Sequence, residues 1–192
     1  MEQSDVIRFF DRCAGSWDAE MIRNEDAIRT ILDNAGVKPG IDVLDIACGT
    51  GVLFPDYLGR GVKTVTGIDI SPEMARIAQE KFPGIRVVCG DAEAYPFAQR
   101  FDVVMVYNAF PHFPDPARAI CRFAEYVRPG GRLSIAHGMS REKLARHHAG
   151  SARLVSVELP EADELAGMFA PWFRVKTVIS DESMFQVVGE RL

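Results

Sequence analysis

The hydrophobic positions along this chain follow two periods, one typical of helices and one typical of strands. Apolar residues three and four positions apart predict two helices near the amino terminus, one on Val6, Phe9, Phe10 and Cys13 and one on Ile28, Ile31, Leu32 and Ala35, closed by Gly36. Short runs rich in β-branched and aromatic residues predict seven strands, at 41–47, 62–70, 85–89, 101–106, 132–137, 172–179 and 184–189. Further helices are predicted at about 51–60, from 72, from 116, at about 140–149 and near 161–169.

Short local signals indicate where several of these elements begin and end. Ser71 and Asp115 each precede a proline, the order expected of a capping residue followed by the first helical position. The RPGG run at 128–131 predicts a turn that ends a helix and leads into the fifth strand. The polar run at 180–183 predicts the turn of a hairpin between the last two strands.

The alternation of strands and helices predicts the architecture. Strands joined through helices run parallel, whereas two strands joined by a short turn run antiparallel. We therefore predict an α/β fold with a doubly wound, mostly parallel seven-stranded sheet and an antiparallel strand at the C-terminus. A chain of 192 residues suits one domain spanning 1–192.

Composition and charge narrow the class of protein. The net charge is −5 and no run of lysine and arginine occurs, which disfavours a nucleic-acid partner. The four cysteines (Cys13, Cys48, Cys89 and Cys121) form no CxxC pair, so a reducing, cytoplasmic location is expected. No apolar run reaches the roughly 20 residues that membrane insertion needs, and the amino terminus lacks the pattern of a secretory signal.

The loop after the first strand is the first candidate site. The stretch VLDIACGTGVL places Gly49 and Gly51 between a strand and a helix, where glycines let a backbone turn tightly around a ligand. The dinucleotide fingerprint G-x-G-x-x-G is incomplete, because Phe54 occupies its third glycine position. Asp45 stands at the mouth of the loop, and a carboxylate ~4 Å from a pyrophosphate costs on the order of a few kcal/mol in a partly buried site. The loop therefore favours a ligand that is positively charged near its middle.

Two further acids end the next strands of the predicted sheet. Asp69 ends the second strand, where a carboxylate can accept from both hydroxyls of a ribose. Asp91 ends the third strand, where it can accept from an adenine amine while the N–H of Ala92 reaches a ring nitrogen. Ribose, adenine and a cationic amino acid together describe S-adenosylmethionine. A single acid at a strand end is often only a turn residue, but three at successive strand ends favour a ligand site.

The chain resembles the class I S-adenosylmethionine-dependent methyltransferases in their small "methyltransferase domain 11" form. The resemblance runs from the N-terminal helix to Leu192 and rests on the stretches VLDIACGTG, GIDIS, GDAEAYPF, FDVVMVYNAFPHF and VRPGGRL. In the first of these, Ala47 stands where glycine is commoner. The resemblance implies a Rossmann-like methyltransferase fold and methyl transfer from S-adenosylmethionine, with S-adenosylhomocysteine as the product.

The resemblance also implies which residues bind this cofactor. Asp45, Ala47 and Gly49 surround the methionine moiety, in a loop that also holds Thr50 and Gly51. The ribose is bound by Asp69, and the adenine is flanked by Ile70 and Met74 and hydrogen-bonded by Asp91 and Ala92. Asn108 lies near the reacting sulfur. The stretch FFDRCAGSWD is similar to the family's opening helix, which often covers the cofactor. Residues 1–36 would then cover the site, with Trp17 above it, although a core position is the alternative for this tryptophan.

The four histidines fall on the predicted acceptor side, which lies after the fourth and fifth strands, and a short substrate-side segment is expected at about 139–170. They are His112, His137 and the pair His147 and His148. Histidine is the usual base near neutral pH, so His112 and His137 are the candidate catalytic residues. The alternatives are packing for His112, a solvated helix surface for the pair, and binding of a metal by several of them; no metal site is predicted.

The sequence after the fourth strand bears on the methyl acceptor. It reads Asn108-Ala109-Phe110-Pro111 and lacks the [ND]-P-P-[YF] motif that similar enzymes use on nucleobase amines, so a small-molecule acceptor is expected. Three other classes stay open. Asp45 and the missing glycine oppose an NAD-dependent oxidoreductase, and Asn108 stands where an aminopropyltransferase would need an acid. A non-catalytic S-adenosylmethionine-binding protein would differ in lacking an acceptor pocket.

Overall fold

A computed structural model describes residues 1–148 and 151–192, and the side chains at 147, 148 and 151 lie outside that description. The strands are β1 (Asp42–Ile46), β2 (Thr64–Asp69), β3 (Arg86–Cys89), β4 (Phe101–Tyr107), β5 (Val127–His137), β6 (Phe173–Ser180) and β7 (Phe185–Arg191). The helices are α1 (Gln3–Cys13), α2 (Trp17–Glu20), α3 (Glu25–Ala35), α4 (Phe54–Gly59), α5 (Pro72–Lys81), α6 (Pro116–Tyr126), α7 (Arg141–His148) and α8 (Ala162–Phe169). Two 3-10 turns lie at Phe110–His112 and Ser151–Val155.

The strands form one seven-stranded sheet in the order β3-β2-β1-β4-β5-β7-β6. All neighbouring pairs are parallel except those of β7, which runs antiparallel to both β5 and β6. The predicted fold class is confirmed. Strand order reverses at β1, which lies between β2 and β4, so the loops after β1 and β4 diverge and open a crevice at the carboxyl edge of the sheet.

Helices pack on both faces of the sheet because side chains alternate along each strand. On one face α6 and α8 bury a cluster that includes Leu44, Ile46, Phe123, Leu165 and Phe169. On the other face α3, α4 and α5 bury a cluster that includes Ile31, Val43, Phe54, Tyr57 and Ala78. None of the helices in the described ranges is long and apolar enough to cross a membrane.

The predicted capping residues do begin their helices. The side-chain oxygen of Ser71 accepts from the N–H of Met74 at 3.1 Å, and that of Asp115 accepts from the N–H of Arg118 at 3.0 Å. Gly36 ends α3 in the left-handed conformation, with φ of 77°. The two side chains accept from backbone N–H groups that have no partner within the first turn of a helix, and Gly36 lets the chain turn away at the last residue of α3.

The RPGG run differs from its prediction. It is not a turn ahead of the fifth strand but an insertion inside β5, because Phe101 pairs with Val127 while Val103 pairs with Arg132. Arg128 explains the arrangement, since its guanidinium donates to Asp102 on β4 and to Asp42 on β1, each at 2.7 Å. This Arg128 clamp joins the amino ends of three parallel strands, at the edge of the sheet opposite the crevice.

The remaining differences between prediction and structure concern short segments. α4 begins at Phe54 rather than near 51, because residues 51–53 still belong to the turn of the glycine loop. The sequence pattern also did not predict α2 or the two 3-10 turns, because segments of three to five residues are too short to show a helical period.

Candidate functional site

The glycine loop between β1 and α4 is held in a strained left-handed backbone. Ala47, Gly49 and Gly51 have φ of 54°, 56° and 83°. A side chain at Gly51 would meet the ring of Phe54 at 2.7 Å, so this position admits only glycine. Ala47 adopts the same conformation with a Cβ, which costs energy that glycine would not. The loop therefore presents its backbone closely to the crevice at the carboxyl end of β1.

Asp69 ties the end of β2 to this loop. Its two carboxylate oxygens accept from the N–H of Gly49 at 2.8 Å and from the N–H of Ser71 at 2.9 Å. Burial raises the pKa of Asp69 to about 6, the two N–H groups oppose the rise, and the charge of Asp11 adds to it. Each carboxylate oxygen has a second lone pair, so the group keeps capacity for further donors.

Asp45 is buried beside Asp69, with 2% of its surface exposed. Burial raises the pKa of Asp45 well above its ordinary value, the charge of Asp69 adds to the rise, and the nearby hydroxyl of Tyr57 opposes it. No cationic side chain is among the described groups that shift either carboxyl. Two acids crowded together in this way favour a ligand that brings positive charge.

The predicted adenine side lies at the ends of β2 and β3. Asp91 accepts from the N–H of Glu93 at 2.8 Å and from the side-chain amide of Gln3 at 2.9 Å. Ala92 is buried, and its carbonyl accepts from the hydroxyl of Tyr126 at 2.8 Å. Of the two residues expected to flank the base, Met74 is buried in the first turn of α5. The other, Ile70, is partly buried and packs beside α1.

Asn108 closes the carboxyl end of β4 through its own backbone and side chain. It has a positive φ of 54°, a conformation that asparagine tolerates better than most residues. Its N–H donates to the carbonyl of Ala136 and its side-chain oxygen accepts from the N–H of Gly138, both at 2.9 Å. The side chain thus holds the ends of β4 and β5 together at the crevice.

The first two helices, called here the N-terminal strap (Gln3–Cys13 and Trp17–Glu20), lie across the carboxyl edge of the sheet. Asp11 accepts from the hydroxyl of Ser71 at 2.5 Å and from the N–H of Glu73 at 3.2 Å, and so helps to cap α5. Asp18 accepts from the hydroxyl of Thr50 at 2.5 Å and from the ammonium of Lys81 at 2.6 Å. These long-range contacts were not apparent in the sequence, because single acids on short helices carry no pairing signal.

Aromatic rings of the strap extend over the glycine loop. A Cβ placed on Gly49 would lie 3.9 Å from the indole nitrogen of Trp17, which puts that ring directly above the loop. Phe10 packs edge-on against Trp17, with ring centroids 5.8 Å apart, and against His112, with centroids 4.9 Å apart. Trp17 is partly exposed, so it sits in this cover rather than in the core.

The two candidate histidines occupy different surroundings at the same edge. His112 ends the 3-10 turn after β4, and its Nδ1 lies 2.7 Å from the carbonyl oxygen of Val155. His137 is fully buried at the end of β5, and its ring packs against Phe185 with centroids 6.1 Å apart. The side chains of His147 and His148 lie outside the described residues. Among the groups that are described, no cluster of three or more potential ligands could hold a metal ion.

A cavity of about 250 Å³ lies beside the acceptor-side elements, between α7 and the stretch that follows it. Its apolar wall includes Leu144, Val157 and Leu159, and its charged lining consists of Arg141, Arg153 and Glu158, of which Arg141 and Glu158 form an ion pair. The N–H of Val157 donates to the carbonyl of Pro111 at 2.8 Å, so this stretch is attached to the turn that carries His112.

Comparison with known proteins places these elements in context. The sequence model of the family described as "Methyltransferase domain" matches residues 44–135, from β1 into β5. Nocamycin O-methyltransferase of Saccharothrix syringae is 36% identical over 159 residues, which cover 77% of this chain and 56% of that protein. Demethylmenaquinone methyltransferase of Renibacterium salmoninarum is 31% identical over 138 residues, which cover 69% of this chain and 58% of that protein. The chain thus spans little more than half of the length of these relatives.

A solved structure extends the comparison to nearly the whole chain. N-methyltransferase NodS from Bradyrhizobium japonicum WM9, in complex with S-adenosyl-L-homocysteine, superposes with a TM-score of 0.75 over 96% of this chain and 97% of that one. The two sequences are only 15% identical, so the superposition shows a shared fold. The family match contains Asp45, Asp69, Asp91 and Asn108, four polar residues that lie at or just beyond the carboxyl ends of β1 to β4.

Proposed function

We propose that this chain is a class I S-adenosylmethionine-dependent methyltransferase, which transfers a methyl group from S-adenosylmethionine to a small-molecule acceptor. One observation carries the proposal. Asp45 and Asp69 are buried side by side at a strained glycine loop, and burial raises the pKa of both. An ammonium and a sulfonium would relieve that crowding, whereas a pyrophosphate would increase it.

The residues of the crevice divide the binding of this cofactor among them. We assign the methionine moiety to the loop of Asp45, Ala47, Gly49, Thr50 and Gly51, the ribose to Asp69, the adenine to Ile70, Met74, Asp91 and Ala92, and the neighbourhood of the sulfur to Asn108. The N-terminal strap would cover the bound molecule and exclude water. Since the sulfonium is an activated methyl donor, the main task of the protein is to align the acceptor with it.

The acceptor is proposed to be a small molecule. The residues between β5 and β6 form two short helices and a 3-10 turn within the described ranges, and the cavity of about 250 Å³ beside them suits a small, mostly apolar compound. Two relatives whose names specify a nocamycin and a demethylmenaquinone substrate support the same class. A non-catalytic S-adenosylmethionine-binding protein is the second candidate, because the strap and loop would bind the cofactor equally well without an acceptor.

Calorimetry tests the cofactor assignment. S-adenosylmethionine should bind the wild-type protein, and Asp69→Ala should weaken that binding at least tenfold, since a bidentate contact to a carboxylate contributes about 1.4 kcal/mol or more. Mass spectrometry of the purified protein would identify co-purified S-adenosylmethionine or S-adenosylhomocysteine. Unchanged affinity in a folded Asp69→Ala variant would overturn the ribose assignment.

Turnover of the two histidine variants tests the acceptor side. With an acceptor found by screening thiols, phenols and quinols, His112→Ala or His137→Ala should lower turnover by ~10²-fold if either is a base, while cofactor affinity stays close to wild type. Because His137 is fully buried, thermal unfolding must first show that its variant is folded. Normal turnover in both variants would mean that alignment alone suffices, and no turnover with any acceptor would favour the non-catalytic alternative.

A further inference from the structure

The ring of Tyr57 packs in the buried cluster, but neither that packing nor the proposed binding residues explain its hydroxyl. It lies on α4, directly after the glycine loop, and its side chain has no solvent exposure. In the part of the chain that the structure describes, its hydroxyl makes no hydrogen bond of ordinary geometry, although the Asp45 carboxyl lies near enough for the two groups to shift each other's pKa. A buried hydroxyl without a partner is costly, so its presence points to a partner that is engaged in another state of the site.

The carboxylate of Asp45 is the group that Tyr57 faces. Val43, two residues earlier on β1 and therefore on the same face of the sheet, belongs to the same buried cluster as Tyr57. The two groups influence one another, because the hydroxyl lowers the pKa of the Asp45 carboxyl and the carboxylate raises the pKa of the Tyr57 hydroxyl beyond the effect of burial.

The other titratable groups around this pair are all acids or thiols. Asp69 on β2 acts on Asp45, while Asp56 on α4 and Cys48 in the loop act on Tyr57. Tyr57 is therefore the donor among the described titratable groups that face Asp45. A carboxylate that must be ionised to receive a cation, yet is buried next to a second acid, needs such a donor.

We infer that Tyr57 is a positioning residue, whose hydroxyl donates to Asp45 when a ligand occupies the glycine loop and so keeps that carboxylate ionised and directed at the ammonium group of the methionine moiety. The inference rests on the proposed function and deepens it. Tyr57 itself does not contact the ligand; it acts through Asp45.

This role has a dependence on pH that simple packing does not have. Without the hydroxyl, the Asp45 carboxyl holds its proton to a higher pH and must release it when the ammonium binds. The loss of affinity in Tyr57→Phe should therefore be largest at low pH and shrink as the pH rises. Titration of the ligand's own amine and of Asp69 affects wild type and variant alike. The ratio of the wild-type affinity to the variant affinity at each pH therefore reports the protonation of Asp45.

The experiment measures binding of two ligands to three variants by calorimetry at pH 6, 7 and 8. S-adenosylmethionine carries the ammonium, and 5′-methylthioadenosine keeps the base and ribose but lacks the amino acid. Tyr57→Phe should weaken S-adenosylmethionine at least about fivefold at pH 6, with a smaller loss at pH 8 and none for 5′-methylthioadenosine. Adding Tyr57→Phe to Asp45→Asn should weaken binding no further than Asp45→Asn alone.

The outcomes separate this inference from the proposed function. If wild type fails to bind S-adenosylmethionine, the proposed function fails. A different result would overturn the inference alone: wild type binds and Asp45→Asn weakens binding, but Tyr57→Phe binds as wild type does and melts at a higher temperature. The hydroxyl would then contribute nothing to binding. Equal, pH-independent losses for both ligands in Tyr57→Phe would show a packing role and would also overturn it.

Discussion

Ala47 shows at the scale of a single residue how the glycine loop is strained. Its φ of 54° lies in the left-handed region, where a Cβ crowds the backbone. The sequence already marks the position, because glycine is commoner there in similar chains, but only the backbone shows that alanine has kept the conformation rather than changed it. Strain of this kind often gathers at ligand sites.

Replacing this alanine should stabilise the protein. Ala47→Gly removes the steric cost and adds the backbone entropy of glycine, for a net gain of about 0.5–1 kcal/mol in the free energy of unfolding. Ala117→Gly, at an exposed position of α6, is the control and should destabilise by a similar amount. Urea denaturation measures both, and a loss of stability in Ala47→Gly would show that the alanine methyl contributes packing that outweighs the strain.

Asp69 should make the stability of the free protein depend on pH. Its pKa of about 6 in the fold exceeds the ordinary value of 3.8, so the folded protein keeps a proton that the unfolded chain releases. The resulting stabilisation is complete below pH 3.8 and is lost as the pH rises through 6, a change of roughly 3 kcal/mol.

Comparison with Asp69→Asn isolates this effect from the other carboxylates. The unfolding free energy of the variant minus that of wild type should rise between pH 4 and pH 7, because the loss of stability that comes from Asp69 occurs only in wild type. The asparagine also loses one of the two N–H contacts, which shifts the difference by a constant. A difference that stays flat across this range would contradict the raised pKa.

At the scale of elements, the N-terminal strap is the part that the sequence describes least well. Its helical period predicts α1, but the contacts that fix it join residues far apart in sequence, such as Asp11 with Ser71 and Asp18 with Lys81. The central strands β1, β2 and β4 were predictable because burial gives them nearly continuous apolar runs, and the capped helices because Ser71 and Asp115 act on neighbours three residues away. Most local signals were read correctly, with the RPGG run as an exception, whereas the long-range contacts of the strap were not predicted.

Breaking the attachment of the strap should speed the release of cofactor. Asp18 contacts both Thr50 and Lys81 at a partly exposed position, so its two contacts contribute on the order of 1 kcal/mol or less. Asp18→Asn should therefore raise the dissociation rate of S-adenosylmethionine about three- to fivefold in stopped-flow displacement. Glu80→Gln, which removes an exposed ion pair with Arg76 on α5, is the matched control.

Salt provides a second measurement on the same pair of variants. Sodium chloride at high concentration should speed release from wild type and from Glu80→Gln, and should have little further effect on Asp18→Asn. Equal dissociation rates in wild type and Asp18→Asn at low salt would show that this contact does not hold the strap over the site.

At the scale of the whole molecule, the doubly wound, mostly parallel sheet followed from the sequence because alternating strands and helices admit few arrangements. The C-terminal hairpin was predicted as well, yet its close packing was not. A Cβ on Gly189 in β7 would lie 2.6 Å from both the Phe169 ring and the Cβ of Phe173. An isolated glycine in a strand signals a close approach of some kind, but it does not say which neighbour approaches.

This close packing gives a prediction with an internal control. Gly189→Ala should lower the free energy of unfolding by about 1–3 kcal/mol, because the methyl group overfills the space between α8 and the hairpin. Gly167→Ala, on α8 where no atom lies within 4 Å of the added group, should stabilise by about 0.5–1 kcal/mol. If thermal denaturation gives both variants the same sign, the hairpin is not packed as described.

The two edges of the sheet respond to acid in opposite ways, one at the Arg128 clamp and one at the crevice. At the clamp, the hydroxyl of Thr64 and the guanidinium of Arg128 lower the pKa of Asp42, so protonation there weakens the fold. At the crevice, the pKa values of Asp45 and Asp69 are raised, so protonation relieves their repulsion and at the same time removes the charge that a cationic ligand requires. Mild acidification should therefore weaken ligand recognition while the scaffold stays intact, which makes loss of binding separable from denaturation along a single pH axis.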